Sequence, residues 1–304
     1  MNTSESIKGA ILVGLGATSY GMLATFVKLA YGDVGSAGTA YTPAEVISAQ
    51  FILGIIGVFL IGKWQNRNVQ PEQQITPSRK DITQLMVAGT SMGLTSIFYY
   101  LAVKYIPVSV GIVLLMQTVW MGVALEAIIA KKAPSGKKIL SVAIVLIGTF
   151  LATNLIGSTQ NLDWRGIVLG LCAAASFTTT MYTANRIATH LPASKRSLFM
   201  LLGGGVIVAI FAISTQTTPI NWDIFYRWGL IIALFGTIIP PLLLNAGFPK
   251  IDIGLGSIIS SLELPVSVCM AYVLLNEHVS TLQWTGIGLI LLAIVLMNTK
   301  SKAA

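Results

Sequence analysis

Glu263 and Pro265 stand two residues apart near the middle of an apolar stretch that runs from Gly254 to Leu275. As a helix, that stretch is long enough to cross the hydrocarbon core of a bilayer, which takes about 20 residues. A charged side chain at a helix centre costs roughly 2.5–3.5 kcal/mol on insertion scales, so an acid there is a functional residue by default. Gly256, Ser260, Glu263 and Ser267 recur at helical spacing and form one small, polar stripe. Ile258, Leu262 and Cys269 fall on the opposite face, expected to meet lipid. The chemistry open to Glu263 is binding a cationic or ammonium-bearing group, or carrying a proton. A hydrogen-bonded packing role is the plain alternative.

Two further constellations accompany it. Pro240 and Pro241 lie near the middle of the preceding apolar stretch, followed by Asn245. Neither proline has an N–H, and their rings disturb the turn before them, which frees carbonyls near Gly236 and Thr237. Loose backbone at membrane depth is tolerated where protein or a cavity satisfies it, so this break is expected to line a site. In the first apolar stretch Gly14, Thr18, Gly21, Thr25 and Lys28 form a small and polar stripe that ends in a cation. Lys28 could hold a substrate carboxylate, pair with an acid such as Glu45, or snorkel to the interface.

The elements that must position these residues follow from composition. Of 304 residues, 54% are hydrophobic and 10% charged, against about 25% charged in a soluble domain. Mean hydropathy is +0.78. This is the composition of an all-α integral membrane protein. The net charge of +8 lies between the apolar stretches, which argues for topology and against nucleic acid. Ten apolar segments are expected, at 8–31, 43–62, 82–103, 107–130, 138–156, 164–186, 197–214, 227–248, 253–275 and 281–299. The first is read as a retained span and not as a signal peptide. With ten spans, 15 of the 19 Lys and Arg residues fall on the side of the N-terminus. Lys104, Arg165 and Arg227 fall on the other side, and Lys28 lies near the outer end of the first span. That asymmetry puts both termini in the cytoplasm.

An internal repeat is also visible. Lys8-Gly9 resembles Arg165-Gly166, and 105–154 slides onto 250–299 without a gap, matching Ile106 with Ile251, Gly111 with Gly256 and Ser135 with Ser280. Two halves, 1–157 and 158–304, each hold five spans. An odd number makes them enter the membrane in opposite directions, the inverted-repeat plan of secondary transporters with a site at mid-depth. The same register sets Tyr100 opposite Asn245, Ser96 opposite Pro241 and Thr118 opposite Glu263. These residues are therefore expected to share a central cavity, with Gln117, Ser260, Pro240, Lys28 and Tyr182 as further lining. Tyr99, Trp120 and Thr179 are secondary candidates. Glu126 is expected to pair at the interface near Lys131 and Lys132. Gly203-Gly204-Gly205 and the Gly166/Gly170 pair are expected to permit close helix packing.

The stretch GTIIPPLLLNAGFPKIDIGLGSIISSLELPVSVCMAYVLLNEHVS resembles the end-of-repeat pattern of EamA-type transporters in the drug/metabolite transporter superfamily. Its proline-broken span, acid-proline pair and Asn276-Glu277-His278-Val279-Ser280 carry the likeness. In the first half, Ser19-Tyr20-Gly21 and the run Tyr99 to Pro107 fit the same pattern. Two positions depart from it: Gln50 stands where the second span often has Arg, and Lys132 where an acid closes the fourth. The resemblance implies a gradient-driven carrier of a small metabolite such as an amino acid, commonly an exporter, in the cell (inner) membrane. Its partners would be that small molecule, the lipid bilayer and protons as a coupling ion, with no cofactor.

A channel or membrane scaffold is the alternative class. An intramembrane enzyme would need a nucleophile with a base, or metal ligands, inside the bilayer. The two histidines, His190 and His278, fall in loops on opposite sides, and no metal-ligand spacing occurs. Cys172 and Cys269 lie in apolar segments and imply no disulfide framework.

Overall fold

The computed structural model describes residues 3–67, 75–102, 104–106, 108–153, 163–276 and 278–298. Among the described residues, ten helical segments follow one another. They are α1 (Thr3–Tyr31), α2 (Pro43–Asn66), α3 (Arg79–Ala102), and α4 in two halves, Val108–Leu115 and Thr118–Ala130. Next come α5 (Gly136–Ala152), α6 (Trp164–Arg186), α7 (Ala193–Thr215) and α8 (Phe225–Lys250). The last two are α9, in halves Ile253–Ser260 and Glu263–Leu274, and α10 (Thr281–Asn298). Eight of the segments are long and apolar enough to cross a membrane. Of the other two, α5 has 17 residues and α10 is a shorter apolar helix.

Local chemistry sets several of the ends. Pro43 opens α2 behind Thr42, whose hydroxyl accepts from the Glu45 N–H while the Glu45 carboxylate accepts from the Thr42 N–H, a reciprocal cap. Ser135 caps α5 and Asp163 caps α6. α4 stops at Lys131, which takes the left-handed conformation (φ 51°).

The repeat register reappears in the helix bounds. The turn at Met116–Gln117 that splits α4 falls where Ser261–Leu262 splits α9, and the starts of α5 and α10 coincide in the same alignment. Packing follows the same correspondence. α2 lies on α7, α4 on α9 and α5 on α10, while α1 contacts α8 and α9 as α6 contacts α3 and α4. α3 and α7 approach so closely that a Cβ on Gly93 would come within 2.6 Å of the Gly204 carbonyl oxygen, as the glycine run predicts.

The small stripe of α1 seats on α9. Gly14 faces Leu262, and a side chain on Gly21 would collide with the Glu263 carbonyl and Val266. The face of α9 expected to meet lipid is buried in part. Ile258 is wholly enclosed among Val119, Val123, Val145 and Ala293, because α4, α5 and α10 cover that side.

Candidate functional site: a one-sided central cavity

The interior holds a cavity of about 800 Å³, walled mainly by apolar and aromatic side chains of α1, α2, α3, α8 and α9. Along these helices the deepest lining residues are Tyr20, Phe51 with its neighbour Gln50, Met92, Thr237 and Glu263, and together they make the floor. Lys28, Lys104 and His278, all exposed, stand around the mouth.

Glu263 opens the second half of α9, directly after the Ser261–Leu262 turn. Pro265 cannot donate back to the Ser261 carbonyl, which accounts for the break at that point. Among the described residues no hydrogen bond or ion pair holds the Glu263 side chain. Its electrostatic neighbours are the phenols of Tyr20 and Tyr99. Tyr20 stands edge-on to Phe177, and Tyr100 lies edge-on to both Tyr31 and Tyr99, so aromatic rings line much of the wall.

The double proline acts indirectly. Immediately before it, α8 widens into a π turn over Leu234–Ile238, and Gly236 and Thr237 of that turn face the cavity. Hydroxyls tie this turn to its neighbours. Ser19 donates to the Phe235 carbonyl (3.1 Å), and Thr237 donates to the Gln50 carbonyl (2.8 Å), which ties α8 to α2.

The opposite end is sealed. Beneath Tyr20, Met92 and Phe177 only a small void remains, lined by Pro241, Asn245 and Phe248 among others. Arg196, counted in sequence as a loop charge, is 1% exposed. Its guanidinium donates to the carbonyls of Asn245 (2.5 Å), Ala184 (2.5 Å) and Ile187 (3.0 Å). Asn185 donates to the carbonyls of Phe248 (2.5 Å) and Ile251 (2.9 Å). Ion pairs Glu5–Lys250 and Glu126–Lys138 flank this seam. Glu126 therefore bonds Lys138 and the Gly254 N–H (2.7 Å) and not Lys131 or Lys132, because α4 turns left-handed at Lys131 and carries those lysines away.

At the mouth, the α1–α2 and α7–α8 connections are bound together. Asp223 accepts from the Ser36 N–H (3.0 Å), the Ser36 hydroxyl (2.9 Å) and the Tyr41 hydroxyl (2.8 Å). Burial alone would raise this carboxyl. The hydrogen bonds from Ser36 and Tyr41 outweigh it and hold the group at about 2. Glu45 accepts from the Asn221 N–H (2.7 Å) and from Gln216, so its carboxylate serves this rim rather than Lys28.

Of the residues expected at the site, Glu263, Tyr100, Ser96, Lys28 and the secondary candidate Tyr99 line the cavity. The others lie outside it. Asn245 borders the lower void and bonds Ser197 (2.9 Å). Thr118 is buried against Thr178 (2.8 Å), Ser260 bonds the Gly256 carbonyl (2.9 Å), and Gln117 bonds Trp120 and the Val113 carbonyl. Pro240 is buried behind the π turn, and Tyr182 is half-buried elsewhere on α6. The reason is the repeat itself. Its register relates Ser96 and Tyr100, on the open side, to Pro241 and Asn245, on the sealed side. Gly236 and Thr237 line the cavity as the proline break predicts, whereas sequence reasoning missed Tyr20, Gln50 and Thr180 as wall residues. Gln50 had a signal in its departure from the family pattern, Tyr20 had one in the Ser19-Tyr20-Gly21 match, and Thr180 is one residue from the expected Thr179.

The sequence model of the EamA-like transporter family matches this chain twice, over residues 7–154 and 164–299. The chain belongs to the EamA-like transporter family. A solved structure described only as "Crystal structure of protein" is similar over 97% of this chain and 98% of its own, with TM-score 0.76 and 14% identity, a likeness of fold. No relative was found among curated proteins. For an EamA-like transporter, then, the cavity and its seal are the two features that a transport mechanism has to use.

Proposed function

We propose that this protein is a secondary transporter that carries a small, amine-bearing metabolite, amino acids included, by alternating access. In this reading all ten helical segments cross the cell (inner) membrane, as two inverted five-helix halves at 1–157 and 158–304 with both termini cytoplasmic. The Lys/Arg asymmetry and the repeated helix bounds support it. The cavity then faces outward, and the Arg196–Asn185 seam closes the cytoplasmic side. A carrier that releases its cargo outside would occupy this state after export.

One observation carries the reading: an acid, Glu263, sits on the floor of an aromatic-walled cavity among described residues that give it no cationic partner. An ammonium group would supply that missing charge, with the phenol faces adding cation–π attraction. A proton is the other cation that could neutralise Glu263, so proton coupling goes with the same residue. The seal favours a carrier over a channel, since a channel would have a continuous path.

Glu263→Gln keeps the shape and removes the charge. In liposomes loaded with an amine-bearing probe, the variant should lose affinity in both net flux and exchange if Glu263 holds the substrate. Loss of pH-driven accumulation with exchange retained would assign it to the proton. Wild-type behaviour in every assay, with only the melting temperature changed, would return it to packing.

A further inference from the structure

Gln50 lies on the floor of the cavity, 3% exposed, and its side-chain Oε1 is buried with no hydrogen-bond partner. Such a group costs about 1–3 kcal/mol and calls for a reason. Its backbone is already held, since the Gln50 carbonyl accepts the Thr237 hydroxyl. The amide therefore contributes no bond of its own to the join between α2 and α8 through that oxygen.

Its position relative to Glu263 can be read from α1. Gly21 abuts the Glu263 backbone, while Gly236 lies against both Leu23 and the Gln50 amide. Gly21 and Leu23 are two residues apart, about 3 Å along a helix axis. Glu263 and Gln50 thus sit at nearly one depth on either side of α1, separated by about the width of a helix, ~10 Å. Both carry acceptors, and the wall between them is formed by Tyr20, Leu23 and Ala24.

We infer that Gln50 is a second polar anchor that sets specificity, accepting a hydrogen bond from a hydroxyl or N–H at the far end of a substrate whose ammonium group is held by Glu263. The inference rests on the amine-carrier reading above. It selects elongated amines with a second donor over amines with an apolar tail. A site built to meet a donor discriminates against the analogue that lacks it, because the acceptor is again left unpaired.

Tyramine and phenethylamine test this, since they differ only in a phenolic hydroxyl at the end remote from the ammonium. Binding to the purified full-length protein in lipid nanodiscs is measured by calorimetry. The wild type should prefer tyramine by roughly 10-fold. Gln50→Leu should collapse that preference to near unity without lowering the melting temperature, and Gln50→Glu, which retains an acceptor, should keep the preference. An undiminished preference in Gln50→Leu, or none in the wild type, overturns the role of Gln50 even where Glu263→Gln abolishes binding of both amines. Binding of neither amine, or binding indifferent to Glu263→Gln, overturns the amine-carrier reading and this inference with it.

Discussion

Two side chains illustrate how single residues are used once water is excluded around them. Asp223 is an acid at the rim whose cost is met by donors from Ser36 and Tyr41, and its carboxyl is held at about 2 against an ordinary 3.8. A depressed folded-state value means stability that is present above about pH 4 and lost as pH falls towards 2. Acid melting curves should therefore steepen between pH 4 and 2, and Asp223→Asn should blunt that limb; an unchanged limb would assign it to other carboxylates. Arg196 is the reverse case, a cation with three carbonyls and no carboxylate among the described residues. Arg196→Met leaves those carbonyls without donors, at about 1–3 kcal/mol each where water does not reach them. It should lower the melting temperature by several degrees, with Arg196→Lys recovering only part, since an ammonium cannot reproduce the planar fork. Equal melting points for all three proteins would place water at those oxygens.

At the scale of elements, the breaks matter more than the helices. The π turn of α8 exists because Pro240 and Pro241 withhold two N–H groups, and it is this turn that carries Gly236 and Thr237 to the cavity wall. Replacing both prolines by Ala should let α8 close into a regular helix, rotate Thr237 off the Gln50 carbonyl and impair transport more than it lowers the amount of folded protein. Parallel loss of both, in a flux assay set against size-exclusion yield, would mean that the prolines only shape the bundle. The helices themselves were legible because each is a hydropathy run bounded by charge or turn residues, and α6 occupies 164–186 as the run does. The prolines and Glu263 stood out for the same reason, as residues that disagree with their surroundings. The Asp223 and Glu45 cluster was not legible. It joins residues more than 170 positions apart, and no local pattern marks either acid for its partners. Neither was the exclusion of Asn245 and Thr118 from the cavity, because sequence symmetry relates equivalent positions and is silent on which end of the molecule is open.

For the whole molecule, that one-sidedness is the leading property. Cysteines introduced at Ser96 and at Asn245 should react with a membrane-impermeant thiol reagent from opposite faces of oriented vesicles, and the reactivity of one should rise as the other falls when substrate is supplied. Simultaneous reactivity of both from a single face would contradict two inverted halves. A reporter fused at Gln216 should likewise read as external. The rim has a mechanical consequence as well. Ser36, Ala37, Tyr41 and Glu45 on one side and Asn221, Asp223 and Arg227 on the other are bonded into one body, with Trp228 also donating to Asp33. Across the mouth, among the described residues, Lys104 to Ile106 and His278 to Ser280 have sparser ties, such as Arg165 stacked over Tyr105 and Ser280 exchanging hydrogen bonds with Gln283. The mouth is thus built like a jaw with one fixed plate. Spin labels on the 32–42 and 216–224 connections should keep a constant separation through the transport cycle, while labels at Lys104 and His278 draw inward towards that plate as the mouth shuts.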